Sequence, residues 1–354
     1  MAGFDAASIG QGRGFAGRLY RLELRYDRAE AGAPATLIAK FASDHAPTRE
    51  VMADIGGYRK EVRFYRELAA QVPLPTPRCY HASYDEEAKS FVLLLEDLAP
   101  AAAVDLATGL SVEAKEVLTL LARTHARFWN RTAGLEWLAP DLEYLNAFRR
   151  RYLAALPATV QRFGARFPVL VRVARQVGWI LEGDEFMRRI EEPPQTLTHA
   201  DLHIENLFFP TAAGGRFAVV DWQSVLLARH GAADVSRLIG MGLLPQLRRE
   251  RGEALLRHYH ETLLSEGVRG YGLRQLRRRY REELASPVLV AVVAIDALDF
   301  GDAGGFANMM ELFGERLSLA LEDERVPLLL GAMIALMWPL RPLYRAWLAL
   351  QRVK

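Results

Sequence analysis

The earliest clear pattern along the chain is alternation. Tyr20, Leu22, Leu24 and Tyr26 interleave with Arg21, Glu23 and Arg25, the two-residue period of a half-buried strand. A polar turn from Asp27 to Pro34 follows, and then the apolar run ATLIAKF, Ala35 to Phe41, which only Lys40 interrupts. From Gly57 to Ala70 the period lengthens, with Tyr58, Val62, Tyr65, Leu68 and Ala69 forming a stripe at helical spacing. The three prolines of VPLPTPRCY exclude a helix interior there. CYHASY and SFVLLLED read as two further strands around a DEEAK hairpin turn. After about Pro100, long amphipathic stretches take over, at 112–130, 144–190, 237–266 and 272–298. A strand–loop–strand island near 195–225 interrupts them. The pattern predicts an α+β, bilobal chain: a small, mostly antiparallel β lobe over 1–97 and a larger helical lobe over 98–354.

Length and composition agree with that outline. A chain of 354 residues suits two lobes at ~150 residues per domain. Hydrophobic residues at 51% and charged residues at 25% are ordinary globular usage, so a sizeable core is available. A net charge of +2 excludes a strongly basic nucleic-acid binder. Arginines between 248 and 281 alternate with Glu250, Glu253, Glu261, Glu282 and Glu283, the mixed signs of a solvated face. The single cysteine, Cys79, excludes an intrachain disulfide. The N-terminal residues lack a basic start followed by an apolar run, so no secretory signal is expected. The uncharged stretch from Val326 to Leu340 falls short of the ~20 residues of a membrane span and contains Pro327 and Pro339. It is expected to be a buried helix of a soluble, cytoplasmic protein with no membrane partner.

The island carries the chemistry. His199, Asp201, His203 and Asn206 fall within eight residues, and an apolar FAVV strand then delivers Asp221. Two carboxylates and a carboxamide suit a hard cation such as Mg2+, and Asp201 can also accept or orient a hydroxyl proton. Gly12, Gly14 and Gly17 form GxGxxG just before the first predicted strand, where backbone amides could approach phosphates. Lys40 in an apolar strand calls for a charged partner. At 100° per residue Glu61 lies about 40° from Tyr65 and about 20° from Leu68, on the inward stripe, whereas Glu67 points outward. His125 reads as a core histidine with a satisfied ring.

Rival functions are weaker on the same residues. His199, Asp201 and His203 share one side of an extended segment and could ligate zinc or iron in a metallohydrolase, but Lys40, Glu61 and Asn206 then have no purpose. GxGxxG in a dinucleotide oxidoreductase should follow a strand and open a helix, and here it precedes a strand.

The order of glycine-rich turn, strand lysine, helix glutamate, HxDxxxxN and strand-borne aspartate resembles the protein-kinase-like fold. HADLHIEN and VVDWQ resemble its aminoglycoside phosphotransferase and choline kinase branch, especially the ecdysteroid-kinase-like members, over roughly 8–320. The resemblance implies a small-molecule kinase that moves the γ-phosphoryl group of ATP, or of GTP, to a hydroxyl with Mg2+. It implies Asp201 as catalytic base or hydroxyl-orienting residue and His199 as the residue that fixes the catalytic loop. Asn206 and Asp221 would hold magnesium. Gly12, Gly14 and Gly17 would lie over the phosphates, Lys40, held by Glu61, would meet the α- and β-phosphates, and Asp234 would brace the loop. Leu93 to Leu98 would form the hinge, where Leu95 and Glu96 meet adenine. Trp222 in the place of the protein-kinase phenylalanine argues against a protein substrate, and Gln223 removes a carboxylate that many aminoglycoside enzymes carry. A catalytically silent nucleotide-binding module of the same fold is the second reading. Eleven arginines against four glutamates from Arg237 to Arg281 are a poor match for a polycationic acceptor and lean towards a neutral or apolar alcohol.

Overall fold

The computed structural model describes residues 2–10, 17–28, 31–140, 142–183, 194–297, 304–339 and 342. The small lobe is one antiparallel sheet of β1 (Gly3–Ile9), β2 (Gly17–Arg25), β3 (Thr36–Ala42), β4 (Cys79–Asp85) and β5 (Ser90–Glu96), in the order β1-β2-β3-β5-β4. Four of the five strands lie where the sequence pattern placed strands. β1 does not: it is almost wholly solvent-facing, and its pairing from Gly3 opposite Arg25 to Ile9 opposite Leu19 fixes it rather than an apolar face. The predicted glycine cluster therefore falls, in sequence, between two antiparallel strands. Gly12 and Gly14 lie outside the described residues. Gly17 opens β2, where an added Cβ would come 2.5 Å from the Phe41 carbonyl oxygen, so strand packing itself demands a glycine there.

Between β3 and β4 run α1 (Ala46–Asp54), which the sequence pattern did not suggest, and α2 (Gly57–Arg63). Gly56, in the left-handed region at φ +67°, separates the two helices. A π-helical turn, Phe64–Leu68, prolongs α2 and keeps Phe64, Tyr65 and Leu68 buried.

The large lobe contains β6 (Ala102–Ala103), α3 (Glu113–Phe128), α4 (Leu142–Phe163), α5 (Pro168–Leu181), β7 (Gln195–Thr198), β8 (Leu207–Phe209), β9 (Ala218–Val219) and β10 (Leu226–Arg229). It continues as α6 (Ala232–Gly242), α7 (Pro245–Ser265), α8 (Leu273–Glu283), α9 (Ser286–Ala297), α10 (Gly304–Asp323) and α11 (Val326–Met337). Three stretches that read as continuous are each two helices. Pro168 and Pro245 mark two of the restarts, since proline lacks an N–H and its fixed φ suits a first turn.

One apolar cluster runs through both lobes, with Tyr58, Phe64, Leu93, Val117, Leu197 and Trp222 fully enclosed. The expectation of a buried C-terminal helix is corrected. Only Val326, Pro327 and Leu330 of α11 are buried, and Leu328, Leu336 and Trp338 are exposed. No helix among the described residues is long and apolar enough to cross a membrane. The arginine-rich face is laced by ion pairs, Arg248 and Arg249 to Asp323 and Arg277 to Glu253.

Candidate active site

Lys40 faces inward from β3, opposite Leu19 of β2 and Leu93 of β5. Its Nζ lies 2.9 Å and 2.8 Å from the two carboxylate oxygens of Glu61 and 2.6 Å from Asp221 Oδ1. Glu61 is fully buried, whereas Glu67 is exposed and accepts two bonds from Arg63. One cation between two carboxylates leaves the cluster short of positive charge. Burial pushes the Glu61 carboxyl up to about 7 against the pull of Lys40. Burial alone would lower the Lys40 ammonium, but Asp221 and Glu61 outweigh it and hold that pKa above its ordinary value.

The segment that carries Asp201 starts at the end of β7. Asp234 on α6 is completely buried and holds that segment by its backbone: Oδ2 accepts from the His199 N–H and Oδ1 from the Ala200 N–H, each at 2.8 Å. His125 of α3 stands behind it, with Nε2 3.3 Å from Asp234 Oδ2 and Nδ1 2.6 Å from the Tyr259 hydroxyl. The core reading of His125 is thus met. Ala200 and Asp221 both take left-handed backbone, at φ +62° and +66°. Non-glycine residues pay a conformational cost there, so each is held by its surroundings.

His199 is saturated. Nε2 donates to the Val220 carbonyl at 2.9 Å, Nδ1 accepts the Asp201 N–H at 3.3 Å, and the ring leans on Trp222. Burial lowers its pKa, which keeps the ring neutral in that tautomer. The zinc or iron alternative fails here, because neither His199 nitrogen is left to bind a metal. Among the described residues no group of three His, Cys, Asp or Glu side chains could hold a metal ion.

Asn206 Nδ2 donates to the Asp201 carbonyl at 3.0 Å and lies 3.1 Å from His203 Nε2. The amide nitrogen is therefore committed. Asp201 has a cationic neighbour absent from the sequence reading, Arg237, whose Nη1 lies 3.0 Å from Oδ1. Burial would raise the Asp201 carboxyl, but His203 and Arg237 hold it below the usual carboxylate range. A signal for Arg237 existed: it is a lone charge among Val235, Leu238 and Ile239, as Lys40 is in its strand.

At the lobe junction Leu95 is buried in the sheet and the Glu96 N–H is already donated to the Arg78 carbonyl. The Glu96 carboxylate pairs with Arg216 and accepts the Arg78 N–H, so this side chain ties β5 to the β8–β9 hairpin. Asp97 pairs with Arg21 at 2.8 Å.

The model of the phosphotransferase enzyme family matches residues 23–282. No curated protein matches the chain. Among solved structures, an assigned aminoglycoside phosphotransferase of Ralstonia eutropha JMP134 is 12% identical, with 92% of this chain and 93% of that one covered and a TM-score of 0.52. The ethanolamine kinase of Plasmodium vivax is 12% identical over 92% of this chain and 82% of its own, with a TM-score of 0.52. An aminoglycoside phosphotransferase in complex with GDP and kanamycin is 11% identical over 91% and 93%, also at 0.52. At these identities the likeness is one of fold.

Proposed function

The chain belongs to the phosphotransferase enzyme family, and from that premise we propose that it transfers the γ-phosphoryl group of ATP, or of GTP, to a hydroxyl of a small organic acceptor. The observation that carries this reading is Lys40 Nζ bridging Glu61 on α2 and Asp221 below the cleft, which joins a phosphate cation to a metal-type carboxylate. GTP stays a candidate donor because a relative of the same fold holds GDP.

Phosphoryl transfer needs positioning and charge neutralisation more than covalent chemistry. Lys40 meets the α- and β-phosphates and Glu61 keeps its ammonium in place. The residues present fit magnesium: with Asn206 Nδ2 committed its Oδ1 is the atom that can face a cation, and Asp221 Oδ2 has, among the described residues, a 3.4 Å contact with Gln223. Asn206 and Asp221 would hold the ion, and when bound it supplies positive charge for the phosphate oxygens. Asp201, kept ionised by its neighbours, orients the acceptor hydroxyl and takes its proton as the bond to phosphorus forms. Asp234 and His199 hold the loop that presents it. The backbone around Leu95 to Leu98 borders the base, with the Glu96 amide excluded from that contact because Arg78 occupies it.

The deciding experiment is thermal unfolding with ATP or GTP, with and without Mg2+, on wild type and Asp221→Ala, followed by an assay of transfer to hydroxyl compounds. A ligand that binds only the native state raises its Tm. The expected result is a magnesium-dependent rise that Asp221→Ala loses. No rise with either nucleotide refutes the proposal. Binding without transfer to any acceptor leaves the silent module.

A further inference from the structure

Arg237 lies in the middle of α6 and is 3% exposed. Its guanidinium has five N–H donors in a fixed fork. Nη1 is spent on Asp201, while Nε and Nη2 are buried with no hydrogen-bond partner among the described residues. Burying a cation with unmet donors is costly unless an anion meets it. The other side of Asp201 is similar: His203 Nε2 lies 3.7 Å from Oδ2, and His203 Nδ1 is buried without a partner among the described residues. Arg248 and Arg249 of α7 and Arg277 of α8 line a separate groove and pair with Asp323 and Glu253, and Arg279 pairs with Glu282.

Resting on the kinase reading above, we propose that Arg237 selects the charge of the acceptor. The compound presented to Asp201 carries an anionic group, a carboxylate or phosphate, close to its hydroxyl, and cationic acceptors are turned away. Any hydroxyl that reaches Asp201 comes within a few ångströms of this guanidinium. A lone guanidinium ~6 Å away, at an effective dielectric of about 20, would shift the affinity of either charge by roughly 10²-fold. The Asp201 carboxylate paired through Nη1 offsets about half of that free energy, which leaves a loss of about 10-fold for an ammonium and a gain of about 10-fold for a carboxylate, ~10² between them. The fork matches the paired oxygens of a carboxylate or phosphate. Ethanolamine and kanamycin, named with two relatives of the same fold, carry amines and make the opposite demand. The lean towards a neutral alcohol rested on surface arginines; the buried one gives the acceptor a sign.

The test follows transfer from ATP to glycerate, glycerol 3-phosphate, glycerol, choline and kanamycin, in wild type, Arg237→Gln and Arg237→Lys. Wild type should favour the anionic compounds over the cationic ones by about 10² in kcat/KM. Arg237→Gln should collapse that ratio towards one, and Arg237→Lys should restore most of it. Equal loss on every acceptor, with the ratio unchanged, would reduce Arg237 to a support for Asp201 and overturn the proposal. Wild-type turnover of choline or kanamycin as good as that of glycerate would do the same, even if neither variant folds. Should no compound be turned over, thermal protection of the ATP-loaded protein decides: glycerate and glycerol 3-phosphate must exceed choline, and equal or absent protection overturns the assignment. Failure of wild type to bind any nucleotide refutes instead the kinase reading beneath it.

Discussion

Replacing Asp234 with alanine strikes the loop that carries Asp201 from behind, at its backbone N–H groups. The carboxylate accepts two loop N–H groups at 2.8 Å and stands 3.3 Å from the His125 ring nitrogen, wholly out of contact with water. Hydrogen bonds to a charged group contribute about 1.5–3 kcal/mol each, and removing one partner leaves the buried donors unmet. Breaking a buried charge-assisted network in this way costs roughly 3–5 kcal/mol. At about 2.1 cal/mol/K per residue, 354 residues give an unfolding entropy near 0.74 kcal/mol/K, so Tm should fall by roughly 4–7 °C. Ala200, at φ +62°, also loses the bond that holds it there, so turnover should fall with stability. The pH dependence has a definite sign. Burial alone would raise the Asp234 carboxyl, but His125 and the loop amides hold it below its usual value. Its contribution is therefore present above the unfolded carboxylate range near pH 4 and is lost as pH falls through the lower folded value. Calorimetry of wild type and Asp234→Ala from pH 3 to 7 should show the two curves converging only at the acid end. A Tm within 1 °C of wild type at neutral pH, with turnover intact, would refute the bracing role.

Asp201→Ala should leave nucleotide affinity near wild type and cut turnover by about 10²–10⁴, the usual size of a proton-transfer contribution; stopped-flow binding beside steady-state kinetics checks both, and undiminished turnover would sink the assignment. For Glu61 the sign is reversed. A folded pKa raised to about 7 means that its contribution is complete below the unfolded value near 4.3 and is lost as pH rises towards 7. Wild type should therefore lose stability between pH 5 and 7.5 relative to Glu61→Gln, and parallel Tm curves would refute this. Gly231→Ala should destabilise strongly, since its Cβ would come 2.3 Å from His125 Nδ1 at a φ of +61°; circular dichroism melts will show it, and an unchanged Tm would count against the packing described.

The elements legible in the sequence were those with a buried face to alternate against. β3 to β5 and the start of the helix carrying Glu61 were placed within a residue, and β2 within three, because each packs one side on the core. β1 was not, since backbone pairing rather than apolar contact holds it. The long helical stretches hid their breaks because amphipathic periodicity resumes after each restart, and the first-turn prolines were the only marks. Polar residues out of place announced most of the site: Lys40 in a strand, Glu61 on an inward stripe, and the cluster from His199 to Asp221. Arg237 carried the same signal, but it was counted with the arginines that follow it. What binds its guanidinium is a tertiary fact, fixed only when α6 packs beneath the loop.

The indole of Trp222 lies face to face with Phe64, ring centres 4.0 Å apart and planes 8° from parallel, and its other neighbour is the His199 ring at 4.6 Å. The single aromatic layer thus fastens the end of α2 to the residue after Asp221 and to the loop that bears Asp201. A joint of this kind removes one degree of freedom. The small lobe's helix cannot swing outward to part Lys40 from Glu61 without prying apart a stack worth about 0.5–1.5 kcal/mol beyond its buried area. Because Phe64 continues α2 and Trp222 follows Asp221, the stack couples the position of the helix that carries Glu61 to that of the segment that carries Asp221, and a displacement of either is passed to the other.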